Sequence, residues 1–280
     1  MNPALATDSL DESTPATSAT THRVRFRFTK RGDARFLGHH DLVRSLERMT
    51  RRARLPLVWS QGFNPRPRIA FAQALALGIE GLREIVEIDF AEALPTEDVL
   101  RRLRAVSHEG LEWLEATALA PRDRARVIAA RYGIHVPAHR RLAAATAVEQ
   151  FLAKDSYPLI RRKPGPKGQP DRIITLDLRS FVPWANLDSA LGRLTFQLRI
   201  ATDGSARPDD VLEALQLADL TVQGAWLARE DLLLADEHPP DGSSRAPAAV
   251  DHGHDHDHGA TPADPTPETN FPEYSLAAEC

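Results

Sequence analysis

The apolar residues between 23 and 117 change their spacing in an order that few folds satisfy. Residues 23–29 alternate apolar and polar side chains, which predicts a half-buried strand. Residues 41–53 repeat their apolar side chains every three or four positions, which predicts an amphipathic helix. Strands are predicted at 56–60 and 83–90, then a helix at 95–106 and a strand at 111–117. This β-α-β-β-α-β order is that of a ferredoxin-like unit.

Residues 121–235 repeat the same order more loosely. The predicted elements are a strand at 125–136, a helix at 139–153, a hairpin of 157–162 with 172–178, a strand at 193–201, a helix at 209–217 and a weak final strand at 220–228. The predicted fold is therefore α+β, with two tandem ferredoxin-like units over residues 22–120 and 121–235.

Both ends of the chain have compositions that predict disorder. Residues 1–21 are rich in Ser, Thr, Ala and acidic residues, and residues 236–280 are rich in Pro, Ala, Asp and His. The second segment carries four closely spaced imidazoles, His252, His254, His256 and His258. Imidazoles at this density bind zinc or nickel weakly, and an incidental metal binder is favoured over a functional site.

The formal net charge of −4 conceals a strong asymmetry. Residues 23–68 contain 13 Lys or Arg and 3 Asp or Glu, a net charge of +10. Residues 236–280 contain 10 acids and 1 base. A basic block of this kind is typical of a surface for a polyanion or an acidic partner, and the acidic segment either solubilises the chain or screens that surface.

Two elements of this stretch are the main candidates for a binding surface. Arg44, Arg48 and Arg51 are spaced three and four positions apart, so they share one face of the first predicted helix. Residues 59–68 combine Gly, Asn and two Pro with aromatic and basic side chains, which predicts a rigid loop that positions polar groups. Arginine forks suit phosphates, and aromatic rings such as Trp59 and Phe63 stack on bases, although either ring is equally suited to the core. The predicted polyanion-binding residues are Arg35, His39, Arg44, Arg48, Arg51, Ser60, Gln61, Phe63, Asn64, Arg66 and Arg68.

Three arginines of the first strand, Arg23, Arg25 and Arg27, are expected to extend this surface, since they share the polar face of the strand. The sequence His39-His40-Asp41 has two interpretations. Asp41 is a favoured residue type for a helix N-cap, and a histidine beside it is often incidental. Alternatively, His39 is a general acid or base with Ser60 or Arg35 nearby, as in a metal-independent ribonuclease.

The stretch RFLGHHDLVRSLERMTRRARLPLVWSQGFNPRPRIAFAQALALGIEG, residues 35–81, closely resembles the radical-SAM-linked protein family, a domain of unknown function. The resemblance covers roughly residues 23–231, with RPDDVLEAL at 207–215 as a second matching patch. His40 departs from the family pattern, in which Leu or a similar residue follows the first histidine. Relatives occur alone or fused behind a radical SAM domain with a cobalamin-binding-like region, so the resemblance implies a radical SAM protein as partner.

Cys280 is the one cysteine of the chain. A radical SAM enzyme holds its iron–sulfur cluster with three closely spaced cysteine thiolates, so this chain is not the radical enzyme. The cluster and SAM are expected on the partner, and no cofactor is expected here. The predicted function is an accessory, non-catalytic subunit that binds RNA, a ribosome-related substrate or another polyanion through its basic N-terminal unit. The alternatives are an adaptor that docks an acidic protein and a ribonuclease centred on His39.

The sequence has no run of about eighteen apolar residues, so no transmembrane helix is expected. Its first residues lack the basic and apolar regions of a secretory signal, which predicts a cytoplasmic protein.

Overall fold

The computed structural model of the chain describes residues 21–120, 122–163, 165, 170–201 and 204–237. The predictions made for residues 1–20 and for the segment beyond 237 lie outside the described residues. The latter include the metal-binding prediction for His252, His254, His256 and His258.

The first half of the described chain contains four strands and two α-helices. They are β1 (His22–Lys30), α1 (His39–Arg52), β2 (Ile69–Phe71), β3 (Glu80–Phe90), α2 (Thr96–Arg104) and β4 (Leu111–Leu119). A short 3-10 helix, Gly32–Phe36, precedes α1. The predicted elements at 23–29, 41–53, 83–90, 95–106 and 111–117 are thus present, with ends that differ by a few residues.

The second half adds six strands and four helices among the described residues. They are β5 (Val127–His135), α3 (Arg141–Leu152), β6 (Pro158–Lys163), β7 (Arg172–Asp177), α4 (Leu178–Phe181), β8 (Ala185–Asp188), β9 (Arg193–Arg199), α5 (Pro208–Ala214), α6 (Asp219–Val222) and β10 (Ala228–Leu234). A second 3-10 helix, Ala138–Arg140, precedes α3.

One large mixed sheet runs through both halves. Its strand order is β4-β1-β3-β10-β5-β9-β8, and β2 also pairs with β3. The neighbours are antiparallel except β3 and β10, which run parallel where Ala228 lies opposite Glu80. In the first half, Phe26 of β1 lies opposite Val86 of β3 and Ala116 of β4. Strands β6 and β7 form a separate two-stranded sheet. The fold is therefore α+β, with six α-helices in the described residues.

The first core is built on one face of β1. Phe26 packs edge-on against Trp113 with their ring centroids 5.3 Å apart, and also against Phe90. Leu42, Leu46 and Met49 pack α1 against this cluster, with the apolar face of α2 beside them. Because an α-helix repeats every 3.6 residues, burying these α1 residues turns the arginines of the same helix toward solvent.

Two predicted strands were wrong in position. Residues 56–60 form only isolated bridges, Leu57 with Phe90 and Trp59 with Pro67, and the strand that pairs with β3 is β2. Pro65 and Pro67 have no N–H to donate to a ladder, so regular pairing starts only after them. The predicted strand at 220–228 begins in α6, and the last strand is β10. Gly224, at φ +94°, ends the α6 turn before the chain extends again.

Candidate functional site

Helix α1 exposes a row of arginines along its outer face. Arg48, Arg51 and Arg52 are exposed, and Arg44 keeps 71% of its side-chain surface open to solvent. The nearest carboxylate to Arg44 is that of Asp41, 3.7 Å away. Over the described part of the chain, that contact is the one ion pair made by the four arginines. Arg54, at φ +51°, leaves the helical conformation just beyond the helix end and is exposed as well.

Residues 59–68 form a loop that is closed at its base, here called the basic loop. The Ser60 N–H donates to the Arg66 carbonyl at 2.8 Å, and the Arg66 N–H donates to the Ser60 hydroxyl at 3.0 Å. The Arg68 N–H donates to the Val58 carbonyl at 2.9 Å. Gly62 has φ +131°, a conformation that favours glycine. These bonds close the loop at its base, and the Asp89 N–H of β3 donates to the Arg68 carbonyl at 3.1 Å, which agrees with the predicted rigid loop.

The tip of the basic loop is open to solvent. Gln61, Phe63 and Asn64 are exposed, and the Phe63 side chain is fully exposed, at 108% of its reference surface. Arg66 and Arg68 are exposed on the returning arm. The loop sequence contains no acid, so its two arginines give it a net charge of +2. The loop thus presents one fully exposed aromatic ring and two exposed cations.

One contact joins the basic loop to α1. The guanidinium carbon of Arg51 lies 5.4 Å from the centre of the Trp59 ring, within cation–π range. Trp59 remains 37% exposed. Arg51 also lies in the last turn of α1, where a cation is favoured by the helix dipole. The C-terminal end of the arginine row and the base of the basic loop therefore lie together. We call this combined region, comprising the α1 arginines and the basic loop, the arginine surface.

Arg35, predicted to bind a polyanion, is occupied by aromatic neighbours. Its guanidinium carbon lies 4.2 Å from the ring centres of both Phe36 and Trp226. It also donates a hydrogen bond to the Gly32 carbonyl at 2.8 Å. The rings remain more than half exposed, so the group forms an aromatic patch rather than a free cation. We call this the Arg35 stack.

The histidines stand at the other end of α1 from the basic loop. The helix begins at His39, Gly38 is its N-cap, and Asp41 lies in the first turn, so the prediction of Asp41 as N-cap was wrong. The His39 ring contacts those of His40 and Phe71, with centroids 5.8 and 5.3 Å away. The partners considered for His39 in catalysis are engaged elsewhere, Ser60 within the basic loop and Arg35 in its stack.

The arginines of β1 do not belong to the arginine surface. Arg23, Arg25 and Arg27 are buried, because β1 is covered on both faces rather than one. Arg23 binds the Asp89 carboxylate through two hydrogen bonds of 2.6 and 2.8 Å. The other two arginines pair with acids as well: Arg25 with Glu87 and Asp236, and Arg27 with Asp231 and Glu237. The net charge of +10 therefore overstates the exposed positive charge.

A buried lysine was missed by the sequence-based prediction, because the predicted first strand ended at residue 29, before Lys30. Lys30 is 1% exposed, and its ammonium donates to the Arg35 carbonyl at 3.1 Å. Burial lowers the pKa of Lys30, with the Glu84 carboxylate opposing this effect. Lys30 also lines a small cavity with His39 and Phe71. The signal was available, because Lys30 continues the alternation of the buried Phe26 and Phe28.

A buried ion pair joins β3 to β10. Arg229 donates to the Glu84 carboxylate with its Nε at 2.8 Å, and both residues are nearly inaccessible. A second donor of Arg229 binds the Ala74 carbonyl at 2.9 Å. The partners are separated by 145 positions, so no local pattern in the sequence connects them. The pair supports the parallel junction of the sheet.

A family model described as "Uncharacterized protein conserved in bacteria (DUF2344)" matches residues 23–208. The match covers more than half of the chain, which therefore belongs to this family, and it includes both parts of the arginine surface. No curated protein matches the chain. Within the described residues, no helix is long and apolar enough to cross a membrane, and no group of three or more side chains is arranged to hold a metal ion.

Proposed function

We propose that this protein is a cytoplasmic, non-catalytic accessory protein that binds RNA through the arginine surface. The observation that carries this proposal is that the arginines of α1 and the basic loop stay exposed and, among the described residues, make one weak ion pair, between Arg44 and Asp41. The buried arginines of β1, in contrast, each pair with carboxylates. Exposed arginines left without acids retain their charge for a partner.

RNA suits this surface better than an isolated anion does. Lys and Arg side chains that neutralise phosphates release condensed counterions, and this release drives much of nucleic-acid binding. The arginine row of α1 repeats along the helix axis, so it can contact several phosphates of one backbone. Guanidinium forks also bind phosphate oxygens in pairs, which fixes the backbone more firmly than lysine would.

The proposal includes a radical SAM protein as the working partner. Its support is the resemblance of residues 35–81 to the radical-SAM-linked family, together with the single cysteine of the chain. The partner would hold the iron–sulfur cluster and SAM, and this protein would present the RNA or ribosome-related substrate to it. Co-purification of the two proteins, abolished by substitutions where they contact each other, would support this division of labour.

We also propose that the fold is a tandem of two ferredoxin-like units. Its support is a repeated strand order. In the first half, the strands lie in the order β4-β1-β3-β2, which is 4-1-3-2. Here β2 pairs with the edge of β3 that faces away from β1. The strands β5, β8, β9 and β10 lie in the same order 4-1-3-2 within the second half. The hairpin of β6 and β7, with α4, would then be an insertion.

A salt series with matched variants tests the RNA proposal. Binding of total tRNA or rRNA fragments to the full chain is measured from low to physiological ionic strength. The variant Arg44→Glu/Arg48→Glu should bind more weakly and lower the slope of log affinity against log salt by about 0.7 for each phosphate that it no longer neutralises. The control Arg101→Glu/Arg102→Glu makes the same charge change on α2, where both arginines pair with Asp98.

The control variant should keep most of the wild-type affinity. Absence of salt-dependent binding at low ionic strength would contradict the proposal, as would equal losses of affinity in the two variants, since equal losses would indicate an effect of net charge alone.

A protein partner is the second candidate, and the Arg35 stack favours it. Phe36 and Trp226 are 57% and 54% exposed, and aromatic side chains beside arginine are enriched at protein interfaces. A complex that survives nuclease treatment, formed by a protein without RNA affinity, would favour an adaptor that docks an acidic partner. Trp226→Ala should then weaken the complex, whereas Arg44→Glu/Arg48→Glu should weaken RNA binding.

A further inference from the structure

Phe63 occupies a position that its own fold does not explain. Its side chain is fully exposed at the tip of the basic loop, so it contributes nothing to either apolar core. The loop beneath it is closed by the paired hydrogen bonds between Ser60 and Arg66. A ring held out on a closed loop loses little conformational freedom when it meets a ligand, because the backbone is already ordered.

The second aromatic residue of the loop is not free in the same way. The Arg51 guanidinium lies over the Trp59 ring, and Trp59 also forms the bridge with Pro67 at the base of the loop. Trp59 therefore attaches the loop to α1, whereas Phe63 is left with open ring faces. The two rings therefore differ in their surroundings, although the sequence suggested base stacking for both.

The surroundings of Phe63 select the chemistry of a ligand. The exposed guanidinium groups nearest in the loop are those of Arg66 and Arg68, and residues 59–68 contain no acid. A nucleotide offers a flat π-face and a phosphate within one unit, so it satisfies an aromatic ring and a neighbouring cation together. Bases within a duplex are already stacked on each other and shielded from a protein ring, whereas unpaired bases are available.

We infer that Phe63 is a stacking platform for an unpaired base, and that the substrate class of the arginine surface is single-stranded RNA rather than duplex RNA. This inference rests on the proposed function. Every base has a π-face, so the platform accepts different sequences and confers a preference for unpaired structure. Arg44, Arg48 and Arg51 bind the phosphates that lead to the stacked base.

The test compares three labelled RNAs of equal length in fluorescence anisotropy with the full chain. They are an unstructured single strand, a perfect duplex, and the same single strand with abasic sugars at its central positions. The single strand should bind more tightly than the duplex at equal phosphate concentration. Removing the bases should lower the affinity toward that of the duplex, although the phosphates are unchanged.

Three variants connect this preference to Phe63. Phe63→Ala should weaken single-strand binding by about 5- to 150-fold, which is the range for loss of one stacked base, while the salt slope stays as in the wild type. Phe63→Trp keeps an aromatic face and should restore binding. Leu142→Ala removes another exposed apolar side chain, 83% exposed on α3, and should change nothing. Because Phe63 packs on neither core, its variants should unfold at the wild-type temperature.

The outcomes separate this inference from the proposed function. If the wild type binds no RNA at low salt, the proposed function fails and the inference fails with it. A second outcome is salt-dependent RNA binding that Arg44→Glu/Arg48→Glu weakens, with Phe63→Ala binding like the wild type and the duplex and abasic strand binding as tightly as the single strand. In that case only the stacking inference is overturned. Loss of binding to a protein or to lipid vesicles in Phe63→Ala, with RNA affinity unchanged, would also overturn it.

Discussion

The arginines of β1 and the arginines of α1 come from one basic stretch of sequence, yet they have opposite surroundings. On β1, Arg23 is buried and makes two hydrogen bonds to the buried Asp89 carboxylate. On α1, Arg48 is exposed, and no carboxylate pairs with it among the described residues. The first group contributes ion pairs inside the fold, and the second group contributes charge to the surface.

This difference shows why net charge along a sequence is a weak measure of surface charge. A buried arginine requires an acid beside it, because the cost of removing a charge from water is large. An exposed arginine remains hydrated and requires none. The β1 arginines find their acids on β3 and on residues 231–237, which are distant in the sequence. Within residues 23–68, the exposed positive charge therefore lies on α1, its C-terminal end and the basic loop, with Arg31 apart from them.

The largest expected effect is on stability, when a β1 arginine is changed. Arg23→Met should lower the free energy of unfolding by about 3–5 kcal/mol, because the Asp89 carboxylate would stay buried without its cation. Arg48→Met on α1 should change it by less than about 0.5 kcal/mol. Chemical denaturation of both variants measures the difference. Similar stabilities would break the distinction between the two groups of arginines, whereas recovery in Arg23→Met/Asp89→Leu would sharpen it.

Lys30 is a third case, a buried cation with no carboxylate in ion-pair contact among the described residues. Burial lowers its pKa, so between that pKa and its ordinary value the unfolded chain binds more protons than the folded chain. The stability contributed by this group therefore rises with pH across that window. Lys30→Met should be more stable than the wild type near neutral pH, and the difference should shrink as pH approaches about 10.4, the ordinary lysine value.

Thermal unfolding of Lys30→Met and the wild type across this pH range measures the difference. Lys154→Met, at an exposed position, is the matched control for the loss of a lysine. A constant difference between Lys30→Met and the wild type at all pH values would mean that Lys30 is not perturbed by burial. Lys30→Met leaves no unsatisfied acceptor at the Arg35 carbonyl, because the Gly78 N–H still donates to that carbonyl at 3.0 Å.

A smaller effect is expected at the base of the basic loop. Ser60→Ala removes the hydroxyl that accepts the Arg66 N–H, which should cost about 1 kcal/mol of local stability. Faster hydrogen exchange at the Arg66 amide measures this opening. RNA affinity should fall while the salt slope is unchanged, because the loop must then be ordered on binding. Ser60→Thr retains a hydroxyl and serves as the control. Unchanged exchange in Ser60→Ala would show that the loop is held by other contacts.

The smallest expected effect is at Asp41, the one acid among the described residues that pairs with the α1 arginines. Asp41→Asn removes an exposed contact of 3.7 Å, so stability should change by less than about 0.5 kcal/mol. RNA affinity should rise slightly at low salt, because the local net charge becomes more positive. Anisotropy titrations at two ionic strengths measure the gain. A loss of affinity would indicate that Asp41 orients Arg44 for its ligand.

Several parts of this structure could be predicted from local patterns. The alternation in β1, the helical spacing in α1 and the turn residues of the basic loop depend on neighbours within a few positions, and all three elements are present. The misplaced strand at 220–228 has a different cause. Leu232, Leu233 and Leu234 of β10 are buried on both faces, so no alternation marked that strand. The exposure of Phe63 was decided by the structure, because the sequence placed this residue in the predicted binding loop but left its ring equally suited to the core.

The sequence by itself determined the order of strands and helices through β4, the face of α1 that carries arginines, and the lack of cysteines for an iron–sulfur cluster. These depend on composition and on short-range periodicity. Only the tertiary structure decided which arginines stay free, because that depends on acids brought close by strand pairing. Arg23 meets Asp89 through the register of β1 and β3, and Arg229 meets Glu84 where β10 joins the sheet. Burial and pairing are properties of the assembled sheet, so the residues of the arginine surface are defined by the tertiary structure and not by the net charge of the sequence.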